Sequence, residues 1–568
     1  MSDMKCVPKL IGGDVELGNF ILGENEAAMM SDFEASRLLL AEIDGLPRRR
    51  RRYHGFSLSA QSNGIYGAYD FGGDYGYSSS TSQDLGRKYL CANGGCIYID
   101  LNHLELATPE VLRARDYQAV WTAMLRIARQ AQSAANEHLS PERRIVVLAN
   151  NSDRQGNSYG GHQSFLITRA AWDDMIRQCM IPSLFNLMAF QVSSIVFTGQ
   201  GKAGSENGMP AVPFQISQRA DFIETLVGEQ TTFNRPLINT RDEPLCGPAS
   251  RLDAAPLPGD RYARLHVIFF DTNLAPVATY LKVGVMQLIL AMIEAGQADG
   301  DLVLEKPLTA LHEWSCDPDL NLRMPLLSGQ SLTAVELQLK FLEKARSFDT
   351  RNGFAGIVAD AGEIMDLWED TLLKLQAREF ERLRGRVDWI TKRALLEQAL
   401  AENPDWGWQS PQINYLDQMY SSIDPADGLF HSLDATGLIE PVATEAEIAH
   451  FVSNPPEDTR AWTRAMLLRA AGPERVAKVD WDRIDLRSSG DTLRQSHIQL
   501  PDPLGATRLD TEAVFVEATD FAGVLDRLHA AGIVVGVNKP QSRGSAVSLL
   551  DGYPNQNYIW QNEGDLNE

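Results

Sequence analysis

The segment "IYIDLNHLELATPE", residues 97–110, concentrates ionisable groups at spacings that matter for chemistry. Side chains alternate along a strand with a period of two. Tyr98 and Asp100 therefore share one side and Ile97 and Ile99 the other. His103 and Glu105 follow closely. Asp14 and Glu16 in "KLIGGDVELGNFIL" repeat the alternation, and His162 and His266 lie on later predicted strands. Taken singly, an Asp-x-Glu is a common solvated strand face, and the histidine of "RLHVI" a common core residue. Taken together, carboxylates placed side by side repel one another. Burying each without compensation costs on the order of several kcal/mol. A bound cation offsets that cost. Oxygen ligands with an occasional imidazole suit magnesium or manganese, and magnesium keeps positions open for phosphate oxygens.

The elements that must carry these groups read as follows. A strand around Asp14 and Glu16 precedes a helix in "EASRLLLAEIDGL". Five arginines, residues 48–52, read as a solvated turn or an internal anion-facing patch. The Gly-, Ser- and Tyr-rich residues 54–90 read as a long loop. A helix is expected from near Pro109, because Thr-Pro-Glu suits a helix start. "RRIVVLANNSDRQGNSYGGHQSFLI" reads as strand, polar loop, strand, and "RLHVIFFDTNLAPVATYLKVGVMQLILAMIEAG" as strand, turn and apolar helix. Residues 331–403 are mostly helical by pattern. The fold class is α+β with a mainly antiparallel sheet, since strands and helices do not alternate regularly. A domain over residues 1–433 and a small C-terminal domain over 434–568 are expected, the latter with an unplaced extension after about residue 500.

The chain has 568 residues and a formal net charge of -23, which argues against nonspecific binding to nucleic acid or an anionic membrane. No signal peptide or span-length apolar run is read, and the 6 scattered cysteines fit reduced thiols in a cytoplasmic protein. No Walker loop, dinucleotide fingerprint or Gly-x-Ser-x-Gly elbow occurs, so a nucleotide must bind by another arrangement.

"NNSDRQGNSYGGHQSFLITR", "RPLINTRDEP", "RLHVIFFDTNLAPVATYLKVG", "GRVDWITKR", "LDQMYSSIDPADGLFHSL" and "NPPEDTRAWTR" stand in the order in which similar blocks occur in the Pup ligase and Pup deamidase family. The chain resembles that family over roughly residues 10–490. The resemblance implies a glutamine-synthetase-like fold, a curved antiparallel sheet flanked by helices, with ATP and magnesium (or manganese) on its concave side. It implies Asp14, Glu16, Tyr98, Glu105 and His266 as metal-associated residues. It further implies Asp100 as the catalytic aspartate, acting as nucleophile or as base for water, and Arg241 as a line of the active site able to stabilise an oxyanion. Thr108 and the position of Cys96 match nucleotide contacts, and Trp481 matches the tryptophan near adenine. Implied partners are a Pup-like small protein, its lysine conjugates and the proteasome pathway.

The spacing of Asp100, His103 and Glu105 resembles the deamidase branch, whereas the ligase branch carries one more residue there; the long loop before Leu90 points the same way. The expected activity is therefore hydrolysis of a C-terminal glutamine amide or isopeptide. The alternatives are ligation to lysine through a glutamyl phosphate and a degenerate binding module. Four positions depart from the family pattern: Asp14 for Glu, Cys96 for Arg, Gln163 for Glu and Leu245 for His. Cys96 and Gln163 predict a weakened phosphate contact and a lower cation affinity.

Overall fold

The computed structural model describes residues 6–23, 31–45, 84–178, 181–246, 258–487, 496–533 and 535–537. The arginine run and most of the Gly/Ser/Tyr segment lie outside the described residues. That segment is not loop throughout, because Asp84–Tyr89 forms a strand.

The long first strand, β1 (Ile11–Leu22), organises the main sheet. A helix α1 (Ser31–Glu42), strands β2 (Asp84–Tyr89), β3 (Cys96–Asp100) and β4 (His103–Ala107), and a long helix α2 (Ala114–Glu137) follow. Then come β5 (Arg144–Leu148) and β6 (Gly161–Thr168). Ile223–Gly228 (β7) and Arg235–Asn239 (β8) form a separate parallel pair, and Tyr262–Val267 (β9) returns to the main sheet. Among the described residues the main sheet has seven strands in the order β9-β6-β1-β4-β3-β2, with β5 on the second half of β1. Every pairing in it is antiparallel. The α+β class with a mainly antiparallel sheet is thus found as expected.

The two sides of this sheet differ sharply. Val15, Leu17, Ile97, Ile99, Leu104 and Leu106 are all buried on one side. α1, α2 and the apolar helix α3 (Pro276–Glu294) cover it. Gly13 permits the close approach of α2: a Cβ there would stand 2.1 Å from the Tyr117 hydroxyl. α3 is long and apolar enough to cross a membrane by length and composition, but 94% of that window is buried as a core helix. The helix after Pro109 begins later than expected, at Ala114. Before it the chain stays extended, and Val111 bridges Ile11.

The helix Glu445–Ser453 sends Ile448 and Phe451 into the main core, because its apolar face packs on α2. A second core begins with α4 (Arg460–Ala471), whose Leu467 and Leu468 pack with Val476, Ile484 and Ile498. These residues belong to a four-stranded sheet built from Val476–Val479, Arg483–Leu486, Ser496–Gln499 and Val535–Val537. After residue 500, Val514, Val524 and Leu528 pack into the same core. Arg508–Glu517 and Phe521–Ala530 are its helices.

Candidate active site

Strand register gathers the acidic groups on the side of the sheet away from the helices. Glu16 stands opposite Glu105 across β1 and β4, and Tyr98 opposite Glu105 across β3 and β4. Asp14 faces His162 across β1 and β6, and His266 faces Ser164 across β9 and β6. Asp100 and His103 pair directly across a two-residue turn. Leu101 and Asn102 both take positive φ, 44° and 75°, as such a tight hairpin requires. The Ser36 hydroxyl of α1 holds the turn, 2.6 Å from the Asn102 carbonyl and 3.0 Å from Asn19 Oδ1. Nearby, Gly18 leaves room for Tyr159, where a Cβ would lie 2.4 Å from the phenol oxygen, and His103 stacks on that ring at 4.4 Å.

Carboxylate oxygens of Glu16, Asp100 and Glu105 lie within 4.8 Å of one another. Burial, and then the charges of Asp14, Glu16 and Asp100, push the Glu105 carboxyl well above the usual range, with the Tyr98 hydrogen bond opposing. Tyr98 donates to Glu105 Oε1, and burial followed by that carboxylate pushes its phenol well up. The Arg87 guanidinium lies over its ring at 4.1 Å. Asp14 differs. Burial pushes it up, but His162, 2.9 Å away, together with His266 and Arg264 outweighs burial and holds it at about 2. Burial and then Arg264 push the His266 imidazole well below its ordinary value, toward the neutral form that ligates metals.

Three hard oxygen donors sharing one site, one forced toward protonation by the other two and by Asp14, fit a divalent cation that would remove the repulsion. Glu16, Asp100 and Glu105 form the nucleus, with Asp14, Tyr98, His162 and His266 beside it.

A buried guanidinium lies next to these acids. Gly160 N–H donates to Glu16 Oε2 at 3.1 Å, and the neighbouring Tyr159 carbonyl accepts from Arg219 Nη1 at 2.6 Å. Arg219 is 1% exposed, yet its Nε and Nη2 have no hydrogen-bond partner. Burial and then Arg235 lower its pKa to about 10. Its charge, buried beside Glu16 with two nitrogens unsatisfied, offsets part of the repulsion among the acids. Sequence reasoning missed Arg219 and Arg235, which lie in a turn and at a strand start where no periodicity flags them. It also passed over Arg264, although that residue is two positions from His266 on the same strand. Its Nη1 lies 3.0 Å from His266 Nδ1 and donates to Ser164 Oγ at 3.1 Å.

The remaining expected residues are placed unevenly. Arg241 follows β8, close enough to depress the basicity of both Arg264 and His266. The Thr108 hydroxyl is buried and accepts from Gly13 N–H at 2.9 Å, extending the β1–β4 ladder. Cys96 corrects an expectation. It has the groove-side parity but is 0% exposed, sealed with Tyr89 and Ala107 under Leu467 and Leu468 of α4. Its side chain offers no surface to a phosphate. Trp481 sits in the same region, half-buried, with Tyr89 edge-on at 5.6 Å and Arg464 over its ring at 4.8 Å. Gln163 corrects a second expectation. It pairs with Gly13 and Val267 on the helix-covered side, against Tyr117, and its replacement of a carboxylate removes no group from the acidic side.

A family model described as Pup-ligase protein matches residues 10–485. The depupylase of Acidothermus cellulolyticus is 36% identical over 436 residues, covering 76% of this chain and 81% of that protein. The Pup–protein ligase of Acidimicrobium ferrooxidans is 35% identical over 419 residues, with coverages of 73% and 86%. The Pup deamidase/depupylase of Mycolicibacterium smegmatis is 30% identical over 528 residues, with coverages of 92% and 99%. The solved structure of the Pup ligase PafA in complex with ADP superposes with a TM-score of 0.64 at 26% identity, covering 85% of this chain and 98% of that one. The complex between Pup and PafA has the same fold, with a TM-score of 0.69 at 24% identity and coverages of 93% and 96%. With six sequence blocks in order, a matching fold and relatives spanning most of its length, the chain belongs to the Pup-ligase family.

Proposed function

We propose that this chain is an ATP- and magnesium-dependent deamidase and isopeptidase acting on the C-terminal glutamine, or the lysine isopeptide, of a Pup-like protein. The observation that carries the hydrolytic reading is the two-residue turn that sets Asp100 directly opposite His103, the shorter spacing of the deamidase branch. A relative named depupylase and one named deamidase/depupylase support it.

Glu16 and Glu105 would hold the cation, with Asp100 sharing their site and Asp14, Tyr98 and His266 beside it. Magnesium would supply charge neutralisation for nucleotide phosphates and a polarised substrate oxygen. The chain's own groups do the rest. Arg219, buried beside Glu16, adds positive charge to that flank of the groove. Arg241, beside Arg264 and His266, stabilises negative charge as water adds to the amide carbon. Asp100 accepts the water proton and returns it to the departing ammonia or lysine amine. The crowd of acids around Asp100 suits a base role only when a cation and phosphates occupy the groove, which couples chemistry to cofactor loading. Trp481 offers an aromatic surface to the nucleotide base.

The test is an intact-mass assay of Pup ending in glutamine with Mg-ATP, with Asp100→Asn as control. Conversion of amide to acid by the wild type alone supports the reading. Conjugation of glutamate-ended Pup to a lysine protein, without amide conversion, supports the ligase reading that the relative from Acidimicrobium ferrooxidans favours.

A further inference from the structure

The family reading assigns no task to the first arginine of "TRAWTR". Arg460 opens α4 in the C-terminal unit and is 2% exposed. All three of its nitrogens are engaged: Nε donates to Glu110 Oε1 at 2.8 Å, Nη1 to the Leu500 carbonyl at 2.9 Å, and Nη2 to the Leu245 carbonyl at 2.6 Å. The last contact crosses from one unit to the other and lands on an unusual backbone. Leu245 has a φ of 51°, a left-handed conformation that a leucine adopts only when its surroundings impose it.

Leu245 ends the segment that carries Arg241. At its start, Arg241 N–H donates to Asn239 Oδ1 at 3.0 Å. In its middle, the Glu243 carbonyl accepts from Arg264 Nε at 2.8 Å and Glu243 Oε2 from Arg264 Nη2 at 3.1 Å. Arg264 in turn reaches His266. Arg460 thus anchors the far end of a strap whose other contacts lead to the groove. A guanidinium suits this task because its planar fork fixes three acceptors at once, whereas a lysine would fix them one at a time.

We infer that Arg460 is a positioning residue. Through the Leu245 carbonyl it holds the 240–246 segment so that Arg241 faces the reacting carbonyl, and the C-terminal unit thereby takes part in catalysis. The kinetic part rests on the function proposed above; the anchoring part does not.

Two measurements on the full-length chain test it. Hydrogen exchange of Arg460→Met is expected to quicken at least tenfold in a peptide spanning 240–246 while the strand Gly161–Thr168 keeps its protection. Unchanged exchange at 240–246, or equal quickening in both regions, overturns the inference. The second is a double-mutant cycle on amide hydrolysis, normalised to the folded fraction. Arg460→Met is expected to lower kcat about tenfold with the KM for ATP unchanged, and Arg460→Lys to recover part of it. Combined with Arg241→Gln, Arg460→Met should cost nothing further, because both act through one group. Multiplied losses overturn the inference. If the wild type converts no Pup substrate, the proposed function fails and the exchange measurement still decides the anchoring.

Discussion

Glu105 and Glu110 are near neighbours in sequence, both buried at 5% and 8% exposure, and electrostatically opposite. Glu105 is crowded by Asp14, Glu16 and Asp100, and its carboxyl is pushed well above the usual range. Burial alone would raise Glu110 too, but Arg464 and Arg460 outweigh it and hold the carboxyl at about 2. Arg464 Nη2 donates to Glu110 Oε2 at 2.6 Å and to the Gly94 carbonyl at 2.8 Å, just ahead of β3. One buried acid is thus matched by its own protein and ties the two units together. The other is left unbalanced by its own protein, a repulsion that a bound cation would relieve. The difference separates a structural acid from a functional one without reference to any relative: the structural acid's neighbours already balance it.

The largest expected effect breaks the functional side. Asp100→Asn should lower amide hydrolysis by about 10^2–10^4-fold, the range for losing a general base, with little change in melting temperature. Steady-state kinetics beside a thermal melt check both halves. On the structural side, Glu110→Gln should destabilise the fold by about 3–5 kcal/mol, because it strands two buried guanidinium groups. Urea denaturation measures it. The pH dependence carries the same sign. The folded pKa of about 2 lies below the ordinary value of 4.5, so this contribution is complete above about pH 4.5 and is lost as pH falls toward 2. The converse substitution should invert the pattern. Glu105→Gln relieves repulsion and should stabilise the metal-free chain by about 1 kcal/mol while abolishing activity. Magnesium should raise the wild-type melting temperature and leave that of Glu105→Gln nearly unmoved.

Much of the functional side is legible in the sequence because it rests on strand parity alone. Asp14, Glu16, Tyr98, Asp100 and Glu105 alternate with apolar residues along their strands, and a period of two puts them on one side wherever those strands pair. What failed to read depends on long-range packing. Cys96 has the right parity, yet α4, arriving from far along the chain, covers that end of the sheet. Gln163 is the next residue after a groove histidine, and parity turns it to the opposite side. The helix Glu445–Ser453 is amphipathic, but no local pattern says which of two cores its apolar face will join. Arg219 comes from an irregular segment, where only the folded backbone shows that two of its nitrogens are left unsatisfied.

A third acid sharpens the comparison, because it lies between the extremes. Asp116, in the first turn of α2, has Arg113 beside it but also Asp458, Asp360 and Glu447 nearby. Arg113 is already committed, donating from Nε to Asp360 Oδ2 at 2.9 Å. Burial leads, and the surrounding acids add to it against Arg113, so the Asp116 carboxyl rises from 3.8 to about 6. A raised acid pKa means that the folded chain binds a proton more tightly than the unfolded one. Stability therefore increases as pH falls from about 6 to about 4, opposite in sign to Glu110. Asp116→Asn should remove this slope and stabilise the chain at pH 7 by about 1 kcal/mol, after discounting for the part of the group that solvent screens. Urea titrations of both forms at several pH values measure it. If Asp116 instead behaved like Glu110, losing stability toward acid, the nearby arginine would count for more than the acid neighbours. The reading of Glu105 as an acid left unbalanced by its own protein would then lose its electrostatic basis.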